Sequence, residues 1–297
     1  MGNLRALPKE LVLEAVFDRN LVEARHRRAR RGTVPGADFL LRHVSEDLVS
    51  RLAVVERRFT DAVVIDDPDG SVAADLETTG RIDNIRSVSI EAGEGGSEVL
   101  PLAPQSADLV VSPLGLHLVN DTPGIFVQIM RALRPDGLFL AAIPGSGTLQ
   151  ELRESLLAAE TARSGGASPR VIPFAEVRDY GGLLQRTGFA LPVTDVETLT
   201  VRYDTMFGLM FDLRAMGMTN PLADRSRKPA TRGLFAQAAE IYGERFSDPD
   251  GRVRATFSTV YLSGWAPHAS QQKPLRPGSA KARLADALGA VEKKASG

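Results

Sequence analysis

Short β-branched runs alternate with amphipathic helical segments through the middle of the chain. Residues 62–65 and 108–112 are apolar runs of strand length, and a third covers 138–143. Residues 121–133 have helical spacing and lie between the second and third runs. Strands that alternate with helices at these spacings are typical of parallel βαβ units, so the sequence predicts an α/β fold.

The rest of the chain predicts further elements around this core. Further helices are predicted at 11–31, 40–57, 147–163, 174–187, 205–216 and 231–246, with a weak strand at 87–90, a loop at 93–97, an antiparallel pair at 190–196 and 199–203, and a long strand at 253–265. The predicted regions are an N-terminal helical region (1–58), a Rossmann-like core (59–204), a helical insertion with a closing strand (205–270), and a basic, partly mobile tail (271–297).

Composition excludes several classes of function. The chain has no cysteine and four histidines, none of them paired at helical ligand spacing, so no metal site is expected. A net charge of -1 gives no general attraction to nucleic acid. No apolar window is long enough for a transmembrane segment, and no signal peptide is evident, which favours a cytoplasmic location. The alternative is a peripheral position at the inner membrane, because tail residues such as Lys273 and Arg276 could contact lipid headgroups or an acidic protein. The oligomeric state stays open.

A set of motifs in the second part of the chain matches one known family. The motifs are Asp108-Leu109-Val110-Val111-Ser112, His117-Leu118-Val119-Asn120-Asp121, Leu133-Arg134-Pro135-Asp136-Gly137, Thr148-Leu149-Gln150-Glu151, Ser168-Pro169-Arg170, Met206-Phe207-Gly208-Leu209-Met210, Asp212-Leu213-Arg214-Ala215-Met216-Gly217 and Gly264-Trp265-Ala266-Pro267-His268. Together they resemble the methyltransferase-like assembly factors of respiratory complex I, in their alphaproteobacterial form. More distantly, they resemble the malonyl-carrier-protein methyltransferase of biotin synthesis.

The resemblance implies a fold, a cofactor and a partner. The fold is the class I methyltransferase fold, a mostly parallel seven-stranded Rossmann-like sheet, here with added N-terminal and C-terminal helices. The implied cofactor is S-adenosylmethionine, and the implied partner is a protein subunit of complex I that family members modify or assist. A eukaryotic relative is associated with arginine hydroxylation rather than methylation.

The turn after the first strand departs from the family's pattern. Class I methyltransferases carry an acidic residue and then several glycines there, so that backbone N–H groups approach the cofactor closely. Here the turn reads Asp66-Asp67-Pro68-Asp69-Gly70-Ser71, with one glycine. Pro68 has no N–H to donate. Asp67 and Asp69 bring negative charge beside the position of the methionine carboxylate, each at a cost on the order of 1 kcal/mol.

Cofactor binding at this turn has two interpretations. Asp66 could still play the first acidic role, Gly70 could still allow close approach, and Glu91 could still bind the ribose. The favoured alternative is that these are acidic residues in turns, which are common there. The segment from the turn to Asp108 is also short for the family. The helix between the second and third strands is therefore expected to be missing, and the sheet to be shortened.

His117 is a weak catalytic candidate, because it follows the central strand where open α/β sheets place ligands. It could orient a substrate or act as a general base, but a half-buried histidine capping the next helix is favoured. Leu118 replaces an aromatic residue common in the family, and Gly147 replaces a carboxylate. Arg153 is expected on a solvated helical face, with a ligand anion as the alternative.

Five apolar residues recur at helical spacing: Met206, Phe207, Met210, Leu213 and Met216. They form either an adaptable partner-binding face or part of the ordinary core.

For the whole chain, the degenerate turn favours a pseudo-enzyme that assists complex I assembly by binding protein. The alternative is an active class I methyltransferase, or a hydroxylase on the same scaffold, that modifies a protein side chain. Small-molecule O-methylation is a third, less favoured reading.

Overall fold

The computed structural model of the protein describes residues 15–32, 34–67 and 69–272. The predicted start of the first helix, the proline of the cofactor turn (Pro68) and nearly all of the predicted basic tail, including Lys273 and Arg276, lie outside the described residues. The division into four regions stays a prediction.

The described chain forms eight α-helices and eight strands. The helices are α1 (Arg19–Arg31), α2 (Phe39–Ala53), α3 (Ser71–Glu77), α4 (Thr122–Ala132), α5 (Gln150–Ser164), α6 (Val177–Arg186), α7 (Met206–Ala215) and α8 (Arg232–Phe246). The strands are β1 (Phe59–Ile65), β2 (Ile82–Val88), β3 (Glu91–Ala92), β4 (Glu98–Val99), β5 (Ala107–Pro113), β6 (Leu133–Pro144), β7 (Ala190–Tyr203) and β8 (Val253–Trp265).

Six of these strands form one mixed sheet in the order β2-β1-β5-β6-β8-β7. The pairs β1–β2, β1–β5 and β5–β6 are parallel, and β8 runs antiparallel to both β6 and β7. The predicted α/β, Rossmann-like class I methyltransferase fold is confirmed, in its shortened form with six strands. Between β2 and β5 the described chain carries the small antiparallel hairpin β3–β4 in place of a helix and a further sheet strand.

Two predicted elements differ from the structure, and one helix was not predicted. The expected antiparallel pair in 190–203 is wrong, because β7 is a single strand that pairs with β8 along nearly its whole length. The weak strand expected at 87–90 is the end of the longer β2, whose mostly exposed residues hide its alternation. Helix α3 was missed, because seven residues with only two buried side chains give a weak helical signal.

The sheet is packed on both faces, and alternate strand residues supply the two cores. On one face Val63 and Ile65 contact the cluster that holds α4 and α6. On the other face Val64 joins the cluster that holds α2 and α3. A third cluster packs α5, α7 and α8 against the start of β8, beside the carboxyl end of β6.

Within the described residues, no helix combines the length and the apolar character needed to cross a lipid bilayer. The same part of the chain holds no group of three potential metal ligands.

Candidate functional site

Asp66 is the first residue after β1 and contacts the carboxyl end of the neighbouring strand β2. Its backbone has a left-handed φ of 57°, and its N–H donates to the Val88 carbonyl at 2.8 Å. Its carboxylate accepts from the Ile90 N–H at 3.3 Å. A Cβ at Gly115 would lie 3.0 Å from Asp66 Oδ2, so Gly115 allows the Asp66 carboxylate to approach the backbone closely. Burial raises the pKa of Asp66. The Asp66 carboxylate therefore interacts with groups of the protein itself, namely the Ile90 N–H and the Ser89 side chain.

Asp67 is buried, with 3% of its surface exposed, and its carboxylate caps α3. Oδ2 accepts from the Ala73 N–H at 2.9 Å, and Oδ1 accepts from the Val72 N–H at 3.3 Å. The Ser87 hydroxyl of β2 donates to Oδ2 at 3.4 Å. A side chain of the protein therefore takes the amides that a glycine-rich loop leaves free for a ligand.

The remaining part of the turn is also engaged internally. The exposed Asp69 accepts from the Ser71 N–H at 3.2 Å and from the Ser71 hydroxyl at 2.9 Å. Gly70 stands immediately before α3 with φ 74°, a conformation that glycine adopts without strain. The first three N–H groups of α3 thus all bond to Asp67 or Asp69.

Glu91 lies apart from this turn, on the exposed hairpin strand β3. It is three residues beyond the end of β2 and pairs with Val99 of β4. Glu98, which pairs with Ala92 in the same hairpin, is 6% exposed. The Glu98 carboxylate accepts from the N–H groups of Asn120 at 2.7 Å and Asp121 at 2.9 Å, and it lies 3.3 Å from Arg19 Nε. Sequence reasoning missed Glu98, because this hairpin was expected to be a loop.

The family motif at 117–121 attaches the N-terminal segment to the carboxyl ends of the strands. The Asn120 side chain accepts from the Phe17 N–H at 2.8 Å and donates to the Phe17 carbonyl at 3.2 Å. Asp121 caps α4 by accepting from the Gly124 N–H at 2.9 Å. Two of the three polar residues of this motif, Asn120 and Asp121, therefore have structural partners.

His117 lies on the short 3-10 turn that follows β5. It is partly buried, its Nδ1 has no hydrogen-bond partner among the described residues, and its ring centroid is 6.1 Å from that of Phe174. Burial lowers the pKa of His117 to about 4, so the ring is neutral at neutral pH. A neutral imidazole can donate one hydrogen bond and accept another, but no described acidic or basic side chain forms a hydrogen bond with this ring.

His117 lines a cavity of about 290 Å³ between α5, α7, α8 and the N-terminal helix. Asp66, Gly70 and Glu91 are not among the residues that line it. The structure therefore places the predicted cofactor residues and the predicted catalytic residue at different positions. Arg25 and Arg170 are the charged residues of the lining, which is otherwise mainly apolar.

Two other predicted positions have structural roles. Gly147 has φ 91°, which explains why a residue without Cβ precedes α5. Arg153 is half-buried and donates to the carbonyls of Thr148 at 3.2 Å and Ile172 at 3.4 Å. It does not lie on the solvated face that was predicted.

The apolar residues of α7 support both predicted alternatives, core packing and a partner-binding face. Met206 and Leu213 are buried in the core, and Met210 lines the cavity. Phe207 and Phe211 are 51% and 58% exposed, one helical turn apart. An exposed aromatic pair of this kind suits contact with another molecule.

Comparison with known proteins identifies the family. A model described as "Methyltransferase domain" matches residues 49–141. "Arginine-hydroxylase NDUFAF5, mitochondrial" of Rattus norvegicus is 37% identical over 289 residues, covering 91% of this chain and 83% of the relative. The chain belongs to the NDUFAF5 family. Within this family, the protein of the same name from Dictyostelium discoideum is 46% identical over 186 residues, and the match spans 42% of its length.

The more distant resemblance is also confirmed. A "Malonyl-[acyl-carrier protein] O-methyltransferase" of Methylovorus sp. is 31% identical over 269 residues, covering 82% of this chain and 88% of that protein. The NDUFAF5 family thus shares its fold with methyltransferases, and S-adenosylmethionine is the cofactor at the level of the family.

Proposed function

We propose that this chain assists the assembly of respiratory complex I by binding a protein partner, and that its methyltransferase fold does not bind S-adenosylmethionine. The observation that carries the proposal is the buried Asp67 carboxylate, which caps α3 at the turn where relatives hold the cofactor. The partner is a complex I subunit, as the family resemblance implies.

The electrostatic argument follows from the position of Asp67. The α-carboxylate of the cofactor needs free N–H donors near the first turn of α3. Asp67 and Asp69 already occupy those donors, and each adds a like charge. Repulsion between two carboxylates in a partly solvated site costs about 1 kcal/mol or more. The cofactor would have to displace bonds that stabilise the fold and also overcome this repulsion.

Helix α7 supports the protein-binding part of the proposal. Phe207 and Phe211 are exposed, and the first of them lies in a stretch that matches the assembly-factor branch of the family. Aromatic residues are enriched in the buried centres of protein interfaces. The proposal places the chain in the cytoplasm, at the periphery of the inner membrane where complex I is assembled.

The cavity argues against modification of an arginine at that position. The relatives carry the name arginine-hydroxylase, and a guanidinium substrate requires carboxylates or carbonyls to receive it. The cavity instead presents Arg25 and Arg170, and its lining contains no carboxylate. Arg170 is paired with Glu160 at 2.6 Å, whereas Arg25 has no carboxylate partner among the described residues, and its charge disfavours a second guanidinium there.

A complementation experiment in the host from which the gene is deleted tests the proposal. We expect the Phe207→Asp/Phe211→Asp variant to lose fully assembled complex I on native gels. The control Val127→Asp places the same charge on an apolar residue of α4 that is 53% exposed, and it should restore assembly. Asp66→Asn should also restore assembly, because the asparagine oxygen still accepts from the Ile90 N–H. Loss of assembly in Asp66→Asn, with normal amounts of folded protein, would favour the enzyme.

A further inference from the structure

The cavity next to His117 has the character of a site for an aliphatic chain. Its volume of about 290 Å³ lies just below the usual range for ligand pockets, roughly 300–1,000 Å³, and suits a small ligand. The apolar side chains of three helices form most of its wall: Leu149 beside α5, Leu152 and Leu156 of α5, Met210 and Leu213 of α7, and Phe235 of α8. A ligand inside would exchange water for hydrocarbon along most of its length.

One end of this cavity adjoins a positively charged space. Arg25 and Thr219 line the cavity and also line a second, polar hollow of about 250 Å³, where Arg28 and Arg214 complete the wall. Arg28 and Arg214 are exposed. Among the residues that the structure describes, no carboxylate lies within 4.0 Å of a nitrogen of these three arginines. The apolar cavity could therefore hold the hydrocarbon chain of a ligand, and the adjoining hollow could hold its anionic head group.

Arg25 has an incomplete environment at this junction. Its guanidinium is half-buried and donates to the Thr219 carbonyl at 2.6 Å. The carboxylate of Asp18 is paired with the neighbouring Arg225 at 3.1 Å and therefore does not form an ion pair with Arg25. Burial lowers the pKa of Arg25, and the charges of Arg225 and Arg28 lower it further. A partly desolvated cation among like charges is unfavourable, and a bound anion would offset that cost.

We propose that this paired cavity binds an unbranched alkyl chain that ends in a single anionic group, such as a medium-chain carboxylate. The chain lies along Leu152, Met210 and Phe235, and the head group is held by Arg25, Arg28 and Arg214. This site is separate from the degenerate cofactor turn and does not depend on the proposed role in complex I assembly.

Titration calorimetry on the full chain at neutral pH tests the site, with decanoate below its micelle concentration. We expect stoichiometric binding that tightens about fourfold for each methylene from hexanoate to decanoate. Decanol and decyltrimethylammonium should bind at least tenfold more weakly, because they lack the negative charge. Decyl phosphate distinguishes a lipid-derived phosphate from a free fatty acid, and tighter binding of either anion fits the proposal.

Three variants locate the binding. Arg28→Glu should weaken decanoate at least tenfold, whereas Arg186→Glu, which changes an exposed arginine in the last turn of α6, should leave binding unchanged. Met210→Trp should fill the apolar space and abolish binding, and an unchanged melting temperature without ligand would show that the fold survives. Equal binding of decanol and decanoate, binding that ignores Arg28→Glu, or no binding of any alkyl anion would overturn the proposal.

Discussion

Replacing Asp67 with alanine should destabilise the protein measurably, although the residue lies in a turn. The side chain is 3% exposed and accepts two backbone N–H bonds from the first turn of α3 and one hydroxyl bond from β2. A lost helix cap costs roughly 0.5–2 kcal/mol, and hydrogen bonds to a charged group are worth about 1.5–3 kcal/mol. We expect Asp67→Ala to lower the free energy of unfolding by about 2 kcal/mol.

Urea denaturation followed by far-UV circular dichroism measures this loss. Asp69→Ala is the matched control, because it removes from the same turn an exposed carboxylate whose hydrogen bonds to Ser71 lie at the surface. It should change the free energy of unfolding by less than about 0.5 kcal/mol. If Asp67→Ala proved as stable as the parent chain, the carboxylate would not be a structural cap and the reasoning would be refuted.

Three further predictions concern residues around the site. His117 has a pKa of about 4 in the folded protein, below its ordinary value, so its contribution to stability is fully present above about pH 6.5. The free energy of unfolding should fall by about 3 kcal/mol as the pH is lowered to 4, because the folded state resists protonation of this ring. In His117→Gln, urea denaturation should show a flatter dependence of stability on pH over this range. Glu98→Ala should cost about 3 kcal/mol in the same assay by leaving two N–H groups and Arg19 unpaired, whereas the exposed Glu91→Ala should cost almost nothing. Gly147→Asp, which introduces the carboxylate that the family resemblance implies at this position, should lower the thermal midpoint through a penalty of about 1–2 kcal/mol, because φ there is 91°.

The sheet core was predictable from sequence because its signals are local. Strands β1, β5 and β6 are runs of buried apolar residues, and such runs are conspicuous in a sequence. The strand β7 misled the prediction, because its residues alternate between half-buried and exposed and change phase near Asp195. That change resembled a break between two strands. Only the partner β8 shows that the strand is continuous.

The site was less predictable, because its contacts join distant parts of the chain. The composition of the turn at 66–71 was enough to predict a departure from the family's pattern. It was not enough to predict that Asp67 caps α3. Asp67 was expected to bring negative charge beside the cofactor's carboxylate, and the structure adds that it is buried and caps α3. Likewise, Glu98 contacts Asn120 and Arg19, which are far from it in the sequence and come close only in the folded chain. No local pattern marks a carboxylate whose partners are 22 and 79 residues away.

Calorimetric titration of the full chain with S-adenosylmethionine tests the central claim most directly. The account predicts no binding heat at cofactor concentrations up to the millimolar range, because the donors at the start of α3 are already bonded to Asp67 and Asp69. A micromolar dissociation constant that Asp66→Asn or Gly70→Val weakens at least tenfold would show that this turn still holds the cofactor, and it would contradict the account.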